Sequence, residues 1–308
     1  MSLTLSQLAR PSYAGGYARS AGESAYPDDW KGLAGLWVPS LGATGQTLRD
    51  VSGEKNHGTL NSATWGAGFL TTFSTADVTV GSNLGILQAT PGATVIAVVR
   101  STNLSSSRVI FHASKNGASA SARASLDTNG TSWRMGGRSL DADSFQSASG
   151  GTASTGVWYT TVGTLDYAND LITICVDGKQ IASSGVSFGA AASSDTTSDV
   201  VTVGSVDSLN HFRGDIAFVG VYGFAIPLSA AMAISADPYR MLRPVRHMPY
   251  ATGEAPPAGT TLHVFHGLIE ASETGDTVLS VFAPWWDADA DEDEAGTILP
   301  QMMHHLLG

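Results

Sequence analysis

Only one cysteine, Cys175, occurs in the 308 residues, so no disulfide framework can form within the chain. It sits in the apolar run Leu171-Ile172-Thr173-Ile174-Cys175-Val176, where a small buried thiol is expected rather than a reactive one. Charged residues are scarce at 14%, which suits many short strands joined by tight turns, and the acid-only segment 247–308 argues against a nucleic-acid partner there. No apolar run approaches the ~20 residues of a membrane-spanning helix. Met1-Ser2-Leu3-Thr4-Leu5-Ser6 also lacks the basic-then-apolar order of a secretory signal, so neither membrane insertion nor signal-directed secretion is expected.

Two further absences are local. Lysine and arginine are missing from residues 247–308, because all 16 lie at or before Arg246. The first 246 residues carry 17 acids against those 16 bases, whereas the remainder carries 10 acids alone, so the net charge of −11 describes a near-neutral body and an acidic tail. Glutamate is absent from residues 30–245 except for Glu54, which lies in a turn-rich segment.

What the chain has in quantity is glycine, 35 residues, together with Ser, Thr and Ala, and short apolar runs broken by turn formers. The clearest runs are Thr94–Val99, Arg108–Phe111, Val157–Val162, Leu171–Val176, Val200–Val203 and Ile216–Tyr222, with Leu36-Trp37-Val38 before them. Without helical periods between them they predict an all-β body of two packed antiparallel sheets. Asp166-Tyr167-Ala168-Asn169 reads as a hairpin loop, and Asp177-Gly178 as a tight turn into Lys179-Gln180-Ile181-Ala182. One helix is predicted over Ser229–Met241, capped by Ser229, with Pro238 a threat to its continuity. Residues 1–29 read as an extended N-terminal arm and 30–246 as the sandwich. Residues 247–308 read as a Pro-rich linker, a β-hairpin built from Thr261–Phe265 and Thr277–Phe282, and an acidic anchoring tail.

Four segments carry a family likeness. They are Gly32-Leu33-Ala34-Gly35-Leu36-Trp37; Arg49-Asp50-Val51-Ser52-Gly53-Glu54-Lys55-Asn56-His57-Gly58-Thr59-Leu60; the Trp158 hairpin ending in Cys175-Val176-Asp177-Gly178; and Phe212-Arg213-Gly214-Asp215-Ile216 with Leu228-Ser229 beyond. In this order they resemble the laminin-G-like jelly rolls of the concanavalin A-like lectin/glucanase superfamily. The flanks Tyr17–Ser24 and Ala236–Pro244 are similar to those of such proteins encoded by bacteriophages and environmental viruses. The resemblance implies a jelly-roll sandwich that binds glycans, and a place on the virion surface as a capsid decoration or a head or tail fibre. A virion protein reaches the outside by lysis, which accounts for the missing signal peptide.

The glucanases of this superfamily use paired glutamates on one strand, and such a pair is absent here. Asp141-Ala142-Asp143 is the one close acidic pair in the sandwich and reads as a solvated loop, and His112 and His211 read as structural, so no catalytic residue is assigned. The resemblance also implies a Ca2+ site, for which Asp50, Asn56 and Asp215 are the candidate ligands, although Ala217 stands where the family often carries an acid. Arg213-Gly214-Asp215 spells an adhesion tripeptide but opens a strand. The run Asp287–Glu294 lacks the sixth-position glycine of a Ca2+ loop and reads as a spacer. Trp285 and Trp286 precede it, and Ile298, Leu299, Met302, Met303, Leu306 and Leu307 follow. These apolar clusters are expected to dock on other virion proteins or on sister subunits of a homo-oligomer. A free lectin and a diverged glycosidase are the alternative readings.

Overall fold

The structure is a computed structural model that describes residues 11, 16–72, 75–82, 86–114, 122–188, 200–206, 210–245, 262–263 and 279–280. Among these, seventeen strands make two antiparallel sheets. The eight-stranded sheet runs β15 (Lys179–Gly185), β14 (Leu171–Val176), β13 (Trp158–Asp166), β8 (Gly92–Ser101), β17 (Gly214–Tyr222), β6 (Leu70–Thr72) and β5 (Thr64–Trp65), with β1 (Leu33–Trp37) also on β17. The nine-stranded sheet runs β12 (Gln146–Gly150), β11 (Ser132–Gly137), β10 (Ala122–Asn129), β9 (Arg108–Ser114), β16 (Val200–Val203), β7 (Asp77–Ser82), β4 (Gly58–Asn61), β3 (Thr47–Leu48) and β2 (Ala43–Thr44). This is the two-sheet sandwich that the apolar runs predict.

The eight-stranded sheet is apolar on both faces, which is why its strands read as unbroken apolar runs. Val95, Ala97 and Val99 of β8 enter the core between the sheets with Trp37, Phe111, Leu126, Met135, Ile172 and Ile174. Ile96 and Val98 point the other way, into a second core on the outer face. Trp30, Leu36, Phe218, Tyr222 and Ile234 fill that second core together with Tyr239, Met241 and Leu242. The nine-stranded sheet differs, because its outer face carries His112, Ser125, Asp127 and Arg134. Its strands alternate apolar with polar or small residues, so β10, β11 and β12 give only faint signals in the sequence.

The hairpin from β13 to β14 and the turn from β14 to β15 form where expected. Asp166 accepts the Asn169 backbone N–H at 3.1 Å and its side-chain amide at 2.8 Å. Asp177 and Gly178 both take positive φ, 47° and 80°, as a tight two-residue hairpin turn requires.

Three expectations need correction. The helix spans Leu228–Ala236, with Pro227 at its N-cap and no side-chain cap, so Ser229 lies inside it rather than before it. The chain then breaks ahead of Pro238 and resumes as a single 3-10 turn at Arg240–Leu242, because proline cannot donate to the ladder and displaces the residue before it from helical geometry. Residues 18–30 are not a separate arm but part of the body. Ala18 N–H donates to Leu242 O and Ala25 N–H to Arg243 O, both at 2.9 Å, and Arg240 grips Asp29 through Nε and Nη2 at 2.7 and 2.8 Å. The Trp30 indole N–H and the Ser24 hydroxyl both donate to Met241 O at 2.7 Å, closing the outer core.

Contacts divide the chain between Arg246 and His247. In the second unit, β18 (Leu262–His263) pairs with β19 (Leu279–Ser280) in parallel, so the expected hairpin is not formed. Among the described residues no helix is long and apolar enough to cross a membrane.

Candidate functional site

The turn that follows β3 gathers two of the three expected Ca2+ ligands and uses them for another purpose. Asp50 is 4% exposed, and its Oδ1 accepts the backbone N–H groups of Leu36 and Ser52, each at 2.9 Å. Its Oδ2 accepts Asn56 N–H at 2.9 Å. Asn56 donates its side-chain amide to Ala34 O at 2.9 Å, and its carbonyl accepts the Trp37 indole N–H at 2.7 Å. These oxygens tie the turn to β1, and no further carboxylate joins them: among the described residues no group of three metal-ligating side chains occurs. The donor set does not fit a divalent cation, which needs six or more oxygens free to turn toward it.

Asp215 lies apart, on the other sheet. Arg100 holds it through Nε at 2.9 Å and Nη2 at 2.5 Å, and Thr71 donates to its second oxygen at 2.8 Å, so its charge is neutralised by a guanidinium. Arg100 in turn stacks over Trp158 and Phe69, 5.0 and 5.8 Å from the ring centroids. The Arg213-Gly214-Asp215 tripeptide is therefore not an accessible adhesion loop, since its aspartate is 5% exposed.

The remaining carboxylates of the sandwich are also engaged. Asp127, 1% exposed, pairs with Arg134 at 2.8 and 3.1 Å, while burial holds its carboxyl above the usual range. Asp141 meets the fully buried Arg123, and Asp143 accepts from Ser139 Oγ and Leu140 N–H at 2.9 and 3.1 Å. His211 lies 3.9 Å from Asp77, which is itself bonded to Ser205 and Asn61.

A cleft of about 340 Å3 opens where the two sheets present their edge strands, β15 and β12, to one another. Trp133, Tyr159, Val176 and Ile181 form its apolar lining, and Gly151, Thr152, Asp177 and Lys179 supply the polar rim. The two aromatic rings meet edge to face, with centroids 5.3 Å apart. Tyr159 is fixed by the loop before it, whose Ser154 N–H donates to the phenol oxygen at 3.2 Å. Ala153 N–H to Thr131 O at 2.6 Å and Gly156 N–H to Ser101 O at 2.8 Å hold that loop to both sheets. The Trp133 Nε1 donor is buried without a partner, and the adjoining ring edge faces Gly151.

Asp177 lines the cleft and accepts the Thr160 N–H at 2.9 Å through Oδ1. Burial pushes its carboxyl above the usual aspartate range, against the opposing pull of that hydrogen bond. Glycine at 150 permits this closeness of the edges, because a Cβ there would stand 2.7 Å from Ile181 O. None of these residues was a sequence candidate. Asp177 was legible only as a turn former, and the rest come from β11, β13, β14, β15 and the loop after β12, which no linear motif links. The expected docking residues Trp285, Trp286, Ile298, Leu299, Met302, Met303, Leu306 and Leu307 lie outside the described residues.

A two-sheet antiparallel sandwich with an aromatic-lined cleft at its open edge is a lectin-like binding fold. The chain belongs to the concanavalin A-like lectin/glucanases superfamily, whose family model matches residues 72–231. Among solved structures, a Trypanosoma rangeli sialidase in complex with the inhibitor DANA aligns at 15% identity with a TM-score of 0.50. The match covers 66% of this chain and 32% of that one, so the chain spans about a third of the sialidase's length. The Ruminococcus gnavus IT-sialidase CBM40 bound to alpha2,3 sialyllactose aligns at 16% identity and a TM-score of 0.42, over 52% of this chain and 95% of that one. The botulinum neurotoxin serotype C1 binding domain aligns at 12% identity and 0.49, over 66% and 52%. These likenesses concern the fold alone. No curated protein matches the chain.

Proposed function

We propose that the chain is a non-catalytic glycan-binding protein that seats a pyranose in the cleft between β12 and β15. The observation that carries this reading is the cleft's composition: two aromatic rings, an aliphatic wall, one carboxylate with an uncommitted oxygen and one exposed ammonium. A sugar ring offers an apolar face to the aromatics and vicinal hydroxyls to Asp177 Oδ2 and Lys179 Nζ. The volume lies near the lower end of small-molecule sites, which suits one or two sugar units. Hydrolysis needs two carboxylates roughly 5–9.5 Å apart across the scissile bond. Among the described residues Asp177 is the only acid lining this cleft, and Asp127, Asp141 and Asp215 are each tied to an arginine. The test is a glycan array probed with the full chain, followed by titration of the best hit with Tyr159→Ala and Asp177→Asn. Binding in the micromolar to millimolar range that weakens at least tenfold in each variant is the expected result. Unchanged affinity in both variants would refute the site.

A second reading concerns where the module works, and the charge split favours it. An acid-only segment flanked by apolar clusters suits a tether that docks on a partner. The partner we propose is a virion protein, with the sandwich displayed on the particle and the chain assembled as a homo-oligomer. Deleting residues 247–308 should abolish incorporation into particles, and full incorporation of the truncated chain would overturn this.

A further inference from the structure

One turn supplies much of the cleft. Val176, Asp177 and Lys179 are three of the eight described residues that line it, and all three belong to the tight turn between β14 and β15. β13 holds this turn from one side: Asp177 N–H donates to Thr160 O at 3.0 Å, and Asp177 Oδ1 accepts Thr160 N–H at 2.9 Å. Tyr159, the residue before Thr160, is itself in the lining. The two central residues of such a turn have no ladder partner for their N–H groups, so the Gly178 N–H needs an acceptor from elsewhere.

That acceptor is the hydroxyl of Ser235, in the last turn of the Leu228–Ala236 helix. Gly178 N–H donates to Ser235 Oγ at 3.0 Å, and the same hydroxyl donates to Met232 O at 3.0 Å, which fixes the direction of its proton. Ser235 is buried, and its neighbours Ala231 and Ile234 anchor the helix in the outer core. The seat is close, since a Cβ at Gly178 would lie 3.1 Å from Ala236 Cβ. Helix propensity does not account for a serine here. The helix uses alanine at four of its nine positions, and alanine at 235 would favour it more than a hydroxyl that bonds back to its own carbonyl. What the hydroxyl adds is the bond to the turn.

We propose that Ser235 is a positioning residue of the cleft, acting through the Gly178 N–H to hold the turn that presents Asp177 to a bound sugar. The proposal rests on the glycan-binding reading and extends that site to a residue outside the cleft lining. Without the hydroxyl the turn keeps only its Thr160 bonds and is free to pivot on β13, so Asp177 must be ordered at the moment of binding and affinity falls. The helix packs on β13, β14 and β15, so the outer face of the sheet helps to shape a cleft that opens at its edge.

The test titrates the best glycan-array hit against the full chain carrying Ser235→Ala or Ser235→Cys, the second keeping a side chain of similar size while offering a poor acceptor. Titrations are run well below each variant's melting temperature, with the fold checked by circular dichroism. Affinity should fall about threefold to tenfold in both, the worth of one hydrogen bond. In the Asp177→Asn background the same changes at Ser235 should cost less than about twofold, because the group they position has already been replaced. Unchanged affinity in either single variant, or an equal loss in both backgrounds, overturns the positioning role and leaves the cleft reading standing. If no glycan binds, the cleft reading fails, and the positioning is judged separately from the Asp177 carboxyl carbon resonance of the free protein. A shift in both Ser235 variants supports it, and an unmoved signal refutes it.

Discussion

Replacing Asp50 by alanine separates a structural turn from a metal site. The carboxylate is buried and accepts three backbone N–H bonds at 2.9 Å, from Leu36, Ser52 and Asn56. A hydrogen bond to a charged group contributes about 1.5–3 kcal/mol, and a buried donor left alone costs a similar amount. Leu36 N–H is sealed beneath the sheet, whereas the Ser52 and Asn56 groups are only half-buried and can be rehydrated. The expected loss is therefore about 3–5 kcal/mol rather than the full sum, or roughly 10 °C in melting temperature for a unit of this size. Urea titration followed by tryptophan fluorescence is the assay, because Trp37 is anchored to the same turn through Asn56 O. Calcium is the control. Adding a chelator should leave the native protein's melting temperature unchanged, since the Asp50 oxygens are spent on N–H groups. A loss below about 1 kcal/mol, or a chelator-dependent fall in the native protein that the variant lacks, would refute this account.

Other outcomes follow from the same geometry. Cys175 is fully buried and burial pushes its thiol up to about 11, so it should resist an aromatic disulfide reagent at pH 8 until the protein is denatured; rapid stoichiometric labelling of the native chain would contradict its placement. Gly150→Ala would press a methyl 2.7 Å from Ile181 O and 2.9 Å from Ala182 Cβ, costing about 1–3 kcal/mol and weakening glycan binding as the cleft widens; thermal melts and titration of the array hit check both. Because burial raises the folded-state pKa of Asp177, the folded chain holds the proton more tightly between the unfolded and folded values. Stability should thus increase as pH falls through the folded value and decline as pH rises back through it. Asp177→Asn removes this contribution, so the difference between the two proteins' pH profiles should slope across that window; parallel profiles would count against it.

The sandwich was legible where both faces of a strand are buried. β8, β13, β14 and β17 read as apolar runs because the outer core behind Ile96, Cys175 and Phe218 makes their second face apolar too. β10 to β12 were faint because Arg123, Ser125 and Asp127 alternate with small residues, and the partners that satisfy them lie on neighbouring strands. Asp50 and Asn56 stood out as a motif, but oxygens that ligate and oxygens that tie a turn look alike in sequence; only the positions of the Leu36, Ser52 and Asn56 N–H groups distinguish them. The cleft was invisible for a different reason. Trp133 and Tyr159 belong to opposite sheets, and their meeting depends on how the sheets close at one edge. The helix boundary went astray at Ser229, a good capping residue overruled by the Pro227 geometry two residues earlier.

The paired exits of the body carry a mechanical consequence. Ser24 bridges Pro244, Ala25 N–H donates to Arg243 O, and Val245 N–H donates to Glu23 O, so the chain enters and leaves the sandwich side by side. Tension applied between these two points passes through a few hydrogen bonds and the Asp29–Arg240 pair before it reaches any long strand. Such a load opens the clasp sequentially, bond by bond, while β8, β13 and β17 stay unstressed. The clasp would then yield first and leave the edge that carries the cleft folded.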